Sequence, residues 1–126
     1  MSIRTPLGRV RGLGSAKSGT EHFWHQRLTA LANVPLTIFF IIILVALLGR
    51  SHATAIQTLG SPLVAIVMLL FVINTLYHAY IGLQEIIIDY VHEDKLKLVT
   101  LMANMFFVFA VAFACVFAIL KLSFGV

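Results

Sequence analysis

Three long apolar runs, separated by short polar stretches, organise the chain. No charged residue occurs between Arg27 and Arg50, and Leu36 to Leu48 is dominated by Ile, Leu and Phe. A second charge-free run extends from Ser51 to Gln84, with its dense part opening at Pro62. The third lies between Lys97 and Lys121 and is rich in Phe, Val and Ala. A bilayer's hydrocarbon core is about 30 Å thick and takes roughly 20 apolar residues of helix. Open strands would leave backbone groups unpaired in lipid, so helices are the economical solution. The runs predict helices over about 29–49, 62–90 and 98–121. Asn33 and Pro35 then fall near the start of the first helix, where a missing N–H costs least.

Composition agrees with this pattern. Of 126 residues, 60% are hydrophobic and 11% charged, with a mean hydropathy of +1.01. A soluble domain carries about 25% charged residues, so there is too little polar surface here to coat a water-soluble globule. The expected fold is an all-α membrane protein with three transmembrane helices at 29–126, preceded by a basic arm at 1–28. The net charge of +4 suits anionic lipid headgroups better than nucleic acid in so apolar a chain. Cys115 is the only cysteine, which excludes an intrachain disulfide and a cysteine-based metal site.

Orientation follows from the cations. Arg4, Arg9, Arg11, Lys17 and Arg27 precede the first helix, against Glu21 alone. Lys95 and Lys97 lie between the second and third helices, Arg50 and His52 between the first and second, and Lys121 at the far end. The positive-inside rule places the N-terminus and the second loop in the cytoplasm. The arm's Arg, Ser and Gly with few acids also match a transit peptide's composition, but a flexible cytoplasmic arm is the expectation.

The second helix carries a polar stripe. With His78 set at zero and about 100° per residue, Asn74, Gly82, Glu85 and Asp89 fall within about 40° to either side, while Tyr90 lies about 120° away. Ionisable groups inside a span are expensive; they face a bundle interior and mark function. A neutral imidazole can ligate a metal through one ring nitrogen while the other is held by a hydrogen bond. Gly82, one turn on, removes a side chain where a flat macrocycle would lie, so the pair suits haem packing. The competing reading is a histidine hydrogen-bonded to a neighbouring helix across a small-residue contact. His22, His25, His52 and His92 lie outside comparable positions within a span. A haem with two histidine ligands would therefore draw the second from another chain.

Asp89 and Tyr90 lie about 16–18 Å along the axis from His78 at about 1.5 Å per residue, at the cytoplasmic interface. They read either as a solvated helix end with a membrane-belt tyrosine, or as a carboxylate and a hydroxyl for a lipophilic ligand's carbonyl and protons. Arg27, at the mouth of the first helix, can bridge a haem propionate or anchor to lipid phosphate. Trp24 and His25 fit an interfacial belt, with His25 a second propionate candidate. The third-helix aromatics Phe106, Phe107, Phe109, Phe113 and Phe117 read as lipid-facing or packing residues, and Cys115 as a small buried hydrophobe.

The run His78–Val91, HAYIGLQEIIIDYV, resembles the second helix of the succinate dehydrogenase hydrophobic membrane anchor (D) subunits. The family pattern His-x3-Gly-x6-Asp-Tyr falls on His78, Gly82, Asp89 and Tyr90. The segment SAKSGTEHFWHQRLTALANVPL is similar to the alphaproteobacterial version of the N-terminal part. The resemblance implies one subunit of a multi-subunit helical bundle in the bacterial inner membrane. A sister cytochrome b anchor would pair with it, and the pair would fasten a flavoprotein with FAD and an iron–sulfur subunit to the cytoplasmic face. By the same resemblance His78 is an axial ligand of haem b shared with the sister anchor, and Arg27 lies near the haem propionates. Tyr90 hydrogen-bonds a ubiquinone carbonyl, and Asp89 keeps that site protonatable. The chain itself has neither a nucleotide fingerprint nor a cysteine cluster, so no succinate-oxidising site is expected on it. Three other readings remain: a fumarate reductase-type anchor, a proton-relay protein using Glu85, Asp89 and His78, and a structural subunit whose stripe only packs.

Overall fold

The computed structural model describes residues 5–10 and 19–125. Its elements are α1 Pro6–Val10, α2 Gly19–Leu47, α3 His52–Gly60, α4 Pro62–Tyr90 and α5 Asp94–Phe124. Helices α2, α4 and α5 are each long and apolar enough to cross a membrane, so the chain is a multi-pass, all-α membrane protein, as the apolar runs predict. The parts of the expected flexible arm at 1–4 and 11–18 lie outside the described residues.

Helix α4 occupies the predicted span. Ser61 is extended at its N-cap and Pro62 opens the first turn, where the missing N–H interrupts no helical bond. Helix α2 differs from expectation, beginning at Gly19 rather than near 29. A helix once nucleated adds one hydrogen bond per residue ordered, and Glu21 in the first turn complements the positive end of the dipole. Pro35 is consequently inside the helix, not near its start. Its ring removes the N–H that the Leu31 carbonyl would accept, a loss that membrane helices tolerate when neighbours pack against them.

The segment after the first span, expected as a loop, holds the short helix α3. Ser51 caps it by accepting a hydrogen bond from the Thr54 N–H at 3.2 Å, and Gly49, at φ 72°, turns the chain between α2 and α3. Helix α3 packs against α5 at a point of close approach. A Cβ on Gly60 would stand 2.6 Å from the Leu122 carbonyl oxygen, so this position needs glycine. Helix α5 carries Asp94 in its first turn and Lys121 in its last, both matched to the dipole.

Helix α4 is central, packing on α2 at one side and α5 at the other. Toward α5, the buried Asn104 donates to the Tyr80 carbonyl at 3.2 Å; Ala65 and Ile81 are the buried residues of α4. Toward α2, the Phe40 and Phe71 rings stack with centroids 4.5 Å apart. Most large apolar side chains face outward, including Phe106, Phe107, Phe113 and Phe117. Acyl chains are as apolar as these side chains, so the exposure is compatible with lipid or with neighbouring helices.

Candidate functional site: a polar seam around His78

The polar stripe of α4 faces α2, where it meets a second polar stripe. Asn74 donates its amide to the Thr29 carbonyl at 2.9 Å and to Asn33 Oδ1 at 2.6 Å. Thr75 donates to the same Asn33 oxygen at 3.1 Å. One turn along, His78 Nδ1 lies 2.9 Å from Thr29 Oγ1. A Cβ on Gly82 would meet Gln26 Nε2 at 3.5 Å, an ordinary contact, so Gln26 stands over the glycine. Glu85 Oε1 lies 3.7 Å from His22 Nδ1 and closes the seam toward the α2 N-terminus.

The two helices thus run antiparallel with Asn33, Thr29, Gln26 and His22 matched to Asn74, His78, Gly82 and Glu85. Sequence alone does not single out these α2 residues as site residues. Their 4-3-4 spacing places them on one helical face, but the apolar run predicts a helix that begins only near Thr29.

His78 is half-buried and its ring is held from one side only. Thr29 is 8% exposed and engages Nδ1; among the described residues Nε2 has no hydrogen-bond partner. Nor is Nε2 sealed off. The buried, unpartnered side-chain polar atoms among the described residues are Gln26 Oε1 and Asn104 Oδ1. The histidine therefore has the interhelical hydrogen bond of the packing reading together with a free nitrogen that the ligand reading requires.

The remaining candidates are spread out. Asp89 and Tyr90 are exposed at the end of α4, Tyr90 to 79%, beyond the matched seam. Arg27 lies about 160° around α2 from Thr29 at about 100° per residue. Its guanidinium stands over the Phe23 ring, 4.9 Å from the centroid. Within this chain the structure does not bring Arg27 to His78. His25 pairs instead with Tyr77, whose hydroxyl lies 2.7 Å from His25 Nδ1. An apolar groove of about 320 Å³ between α4 and α5, lined by Ile73, Tyr77, Tyr80, Val108 and Phe109 among others, contains none of the predicted site residues.

Three apolar spans, two of them joined by a polar seam that holds His78, define a small integral membrane subunit. The chain belongs to the family of succinate dehydrogenase/fumarate reductase transmembrane subunits, matching it over residues 1–119. The succinate dehydrogenase hydrophobic membrane anchor subunit of Paracoccus denitrificans is 32% identical over 125 residues, covering 99% of this chain and 96% of that one. The subunit of the same name from Rickettsia bellii (strain RML369-C) is 34% identical over 95 residues, 75% of this chain and 76% of its own. No solved structure is a significant match.

Proposed function

We propose that this chain is a membrane-anchor subunit of succinate:ubiquinone oxidoreductase, helping to bind haem b and ubiquinone and fastening the catalytic subunits to the bacterial inner membrane. The observation that carries the haem part is the asymmetric environment of His78. One ring nitrogen is hydrogen-bonded to a buried hydroxyl and the other is unpartnered and unsealed, the state in which an imidazole can ligate iron. These residues fit a haem: His78 would offer Nε2 to the iron, and a histidine of a sister anchor subunit would supply the second ligand. Bound there, the haem would supply a one-electron centre near the route from the iron–sulfur subunit. Within this chain the space over Gly82 is taken by Gln26, so the glycine serves the α2–α4 contact, and Arg27 would reach a propionate only from the outer face of α2.

At the end of α4, Tyr90 and Asp89 take the quinone. The Tyr90 hydroxyl donates a hydrogen bond to one quinone carbonyl, favouring charge on that oxygen as electrons arrive. Asp89 keeps the site open to protons, two of which join the two electrons that convert quinone to quinol. Succinate is oxidised on the flavoprotein subunit, which together with an iron–sulfur subunit docks on the cytoplasmic side, where the N-terminus and the α4–α5 connection lie. Relatives named for succinate dehydrogenase favour turnover toward quinol over the fumarate-reducing direction.

The packing of the seam favours a second reading. Helix α2 alone accounts for contacts at Asn74, His78, Gly82 and Glu85, so the stripe could serve interhelical packing without a cofactor. Purification through this chain in mild detergent separates the two readings. The proposal expects co-purifying flavin and iron–sulfur subunits and a b-type haem band that succinate reduces. Flavin and iron–sulfur subunits without haem would leave the anchor in place and favour the packing reading.

A further inference from the structure

We infer that Thr29 fixes His78 as the Nδ1–H tautomer and so presents its Nε2 lone pair to the haem iron, making Thr29 a positioning residue for the ligand. The inference rests on the haem reading above. A threonine hydroxyl has one proton and two lone pairs. Thr29 Oγ1 has three neighbours: the His25 carbonyl at 2.7 Å, the Gln26 carbonyl at 3.1 Å and His78 Nδ1 at 2.9 Å. Carbonyl oxygens only accept, and two oxygens at 2.7 Å with no proton between them repel. The hydroxyl proton is therefore committed to the α2 backbone, the usual back-bond of a threonine inside a helix.

Toward His78 the hydroxyl then offers only a lone pair, so the 2.9 Å contact is a hydrogen bond only if Nδ1 carries the proton. A neutral imidazole has one ring N–H, which leaves Nε2 as the free donor to a metal. The opposite tautomer would set two lone pairs against each other at a buried position. It would also block ligation by placing a proton on Nε2.

Thr29 is itself fixed in place. Its carbonyl accepts the amide of Asn74, one turn before His78, at 2.9 Å, so α4 holds both the backbone and the side chain of the residue that orients its histidine. The relay from Nδ1–H through Oγ1–H to the His25 carbonyl polarises in one direction. It raises electron density at Nε2, which favours ferric over ferrous iron.

The test uses the intact complex purified with Thr29→Val and Thr29→Ser anchors, reading the haem reduction potential and the ferric electron paramagnetic resonance spectrum. Thr29→Val, which keeps the shape but loses the acceptor, should weaken the preference for ferric iron by up to about tenfold. At one electron that is a positive shift of up to about 59 mV. The resonance should also change as the ring loses its orientation, and Thr29→Ser should restore the native values of both.

A His78→Ala complex assayed in parallel separates the two possible failures. If it retains a native haem spectrum, the ligand reading falls and the inference falls with it. If it loses that spectrum while Thr29→Val matches the native protein, only the role of Thr29 is overturned. Should Thr29→Val complexes fail to assemble, electron–nuclear double resonance of the native ferric haem in H2O and D2O decides. An exchangeable proton whose coupling assigns it to Nδ1 of His78 supports the inference, and its absence there overturns it.

Discussion

Asn74 on α4 donates its side-chain amide to Asn33 Oδ1 on α2 at 2.6 Å. The same Asn33 oxygen accepts the Thr75 hydroxyl, and the same Asn74 amide reaches the Thr29 carbonyl. These bonds set the register of the antiparallel seam one turn from His78, and hence which α2 residue meets the imidazole. In lipid an unpaired amide has no water to turn to, so α2 and α4 are held in pairing by polar groups within apolar helices.

An Asn33→Ala, Asn74→Ala double-mutant cycle, read from denaturant-induced unfolding of the complex in detergent, should give a favourable coupling of about 0.6–1.7 kcal/mol. Strict additivity would show that the two asparagines do not bond across the seam.

Gly60→Ala should destabilise the anchor through the α3–α5 contact, because the new Cβ would sit 2.6 Å from the Leu122 carbonyl oxygen. Relieving an overlap with backbone requires a helix to shift, at a cost of about 1–3 kcal/mol. The thermal midpoint of the complex should fall while the haem potential holds, since among the described residues no hydrogen bond joins α3 to the polar seam. An unchanged midpoint would mean that α3 does not pack there in the assembled protein.

Tyr90→Phe keeps the ring and removes the hydroxyl. Succinate:quinone reductase activity should fall by about 2- to 12-fold, the equivalent of one hydrogen bond worth about 0.5–1.5 kcal/mol. Succinate oxidation by a soluble artificial acceptor should persist. Equal loss of both activities would assign Tyr90 to assembly rather than to the quinone.

Much of this architecture is written in the residue pattern. Ser61-Pro62 and the polar close at Asp89-Tyr90 mark both ends of α4, and its stripe can be read at 3.6-residue periodicity. The start of α2 is hidden because Thr20 to Leu28 mixes charged and polar residues with Phe23 and Trp24 and resembles an arm; His22, His25 and Gln26 of that stretch meet α4. Helix α3 escapes for a related reason, being short and without the long apolar run that betrays a span. His78 stands out as an ionisable group in lipid, whereas Thr29 is one of several unremarked threonines until the register with Asn74 is known. The expected closeness of Arg27 to the haem ligand depends on the face of α2 it occupies, which is settled only once the helix is seen to pack through Thr29 and Gln26.

The most direct test of the central claim is the visible spectrum of the complex purified through this chain, native against His78→Ala, before and after succinate. The account predicts a b-type haem band that succinate reduces in the native complex and that is lost or strongly altered in the variant, with flavin and iron–sulfur subunits still bound. An identical haem band in both would contradict it, leaving His78 as a packing residue of the α2–α4 seam.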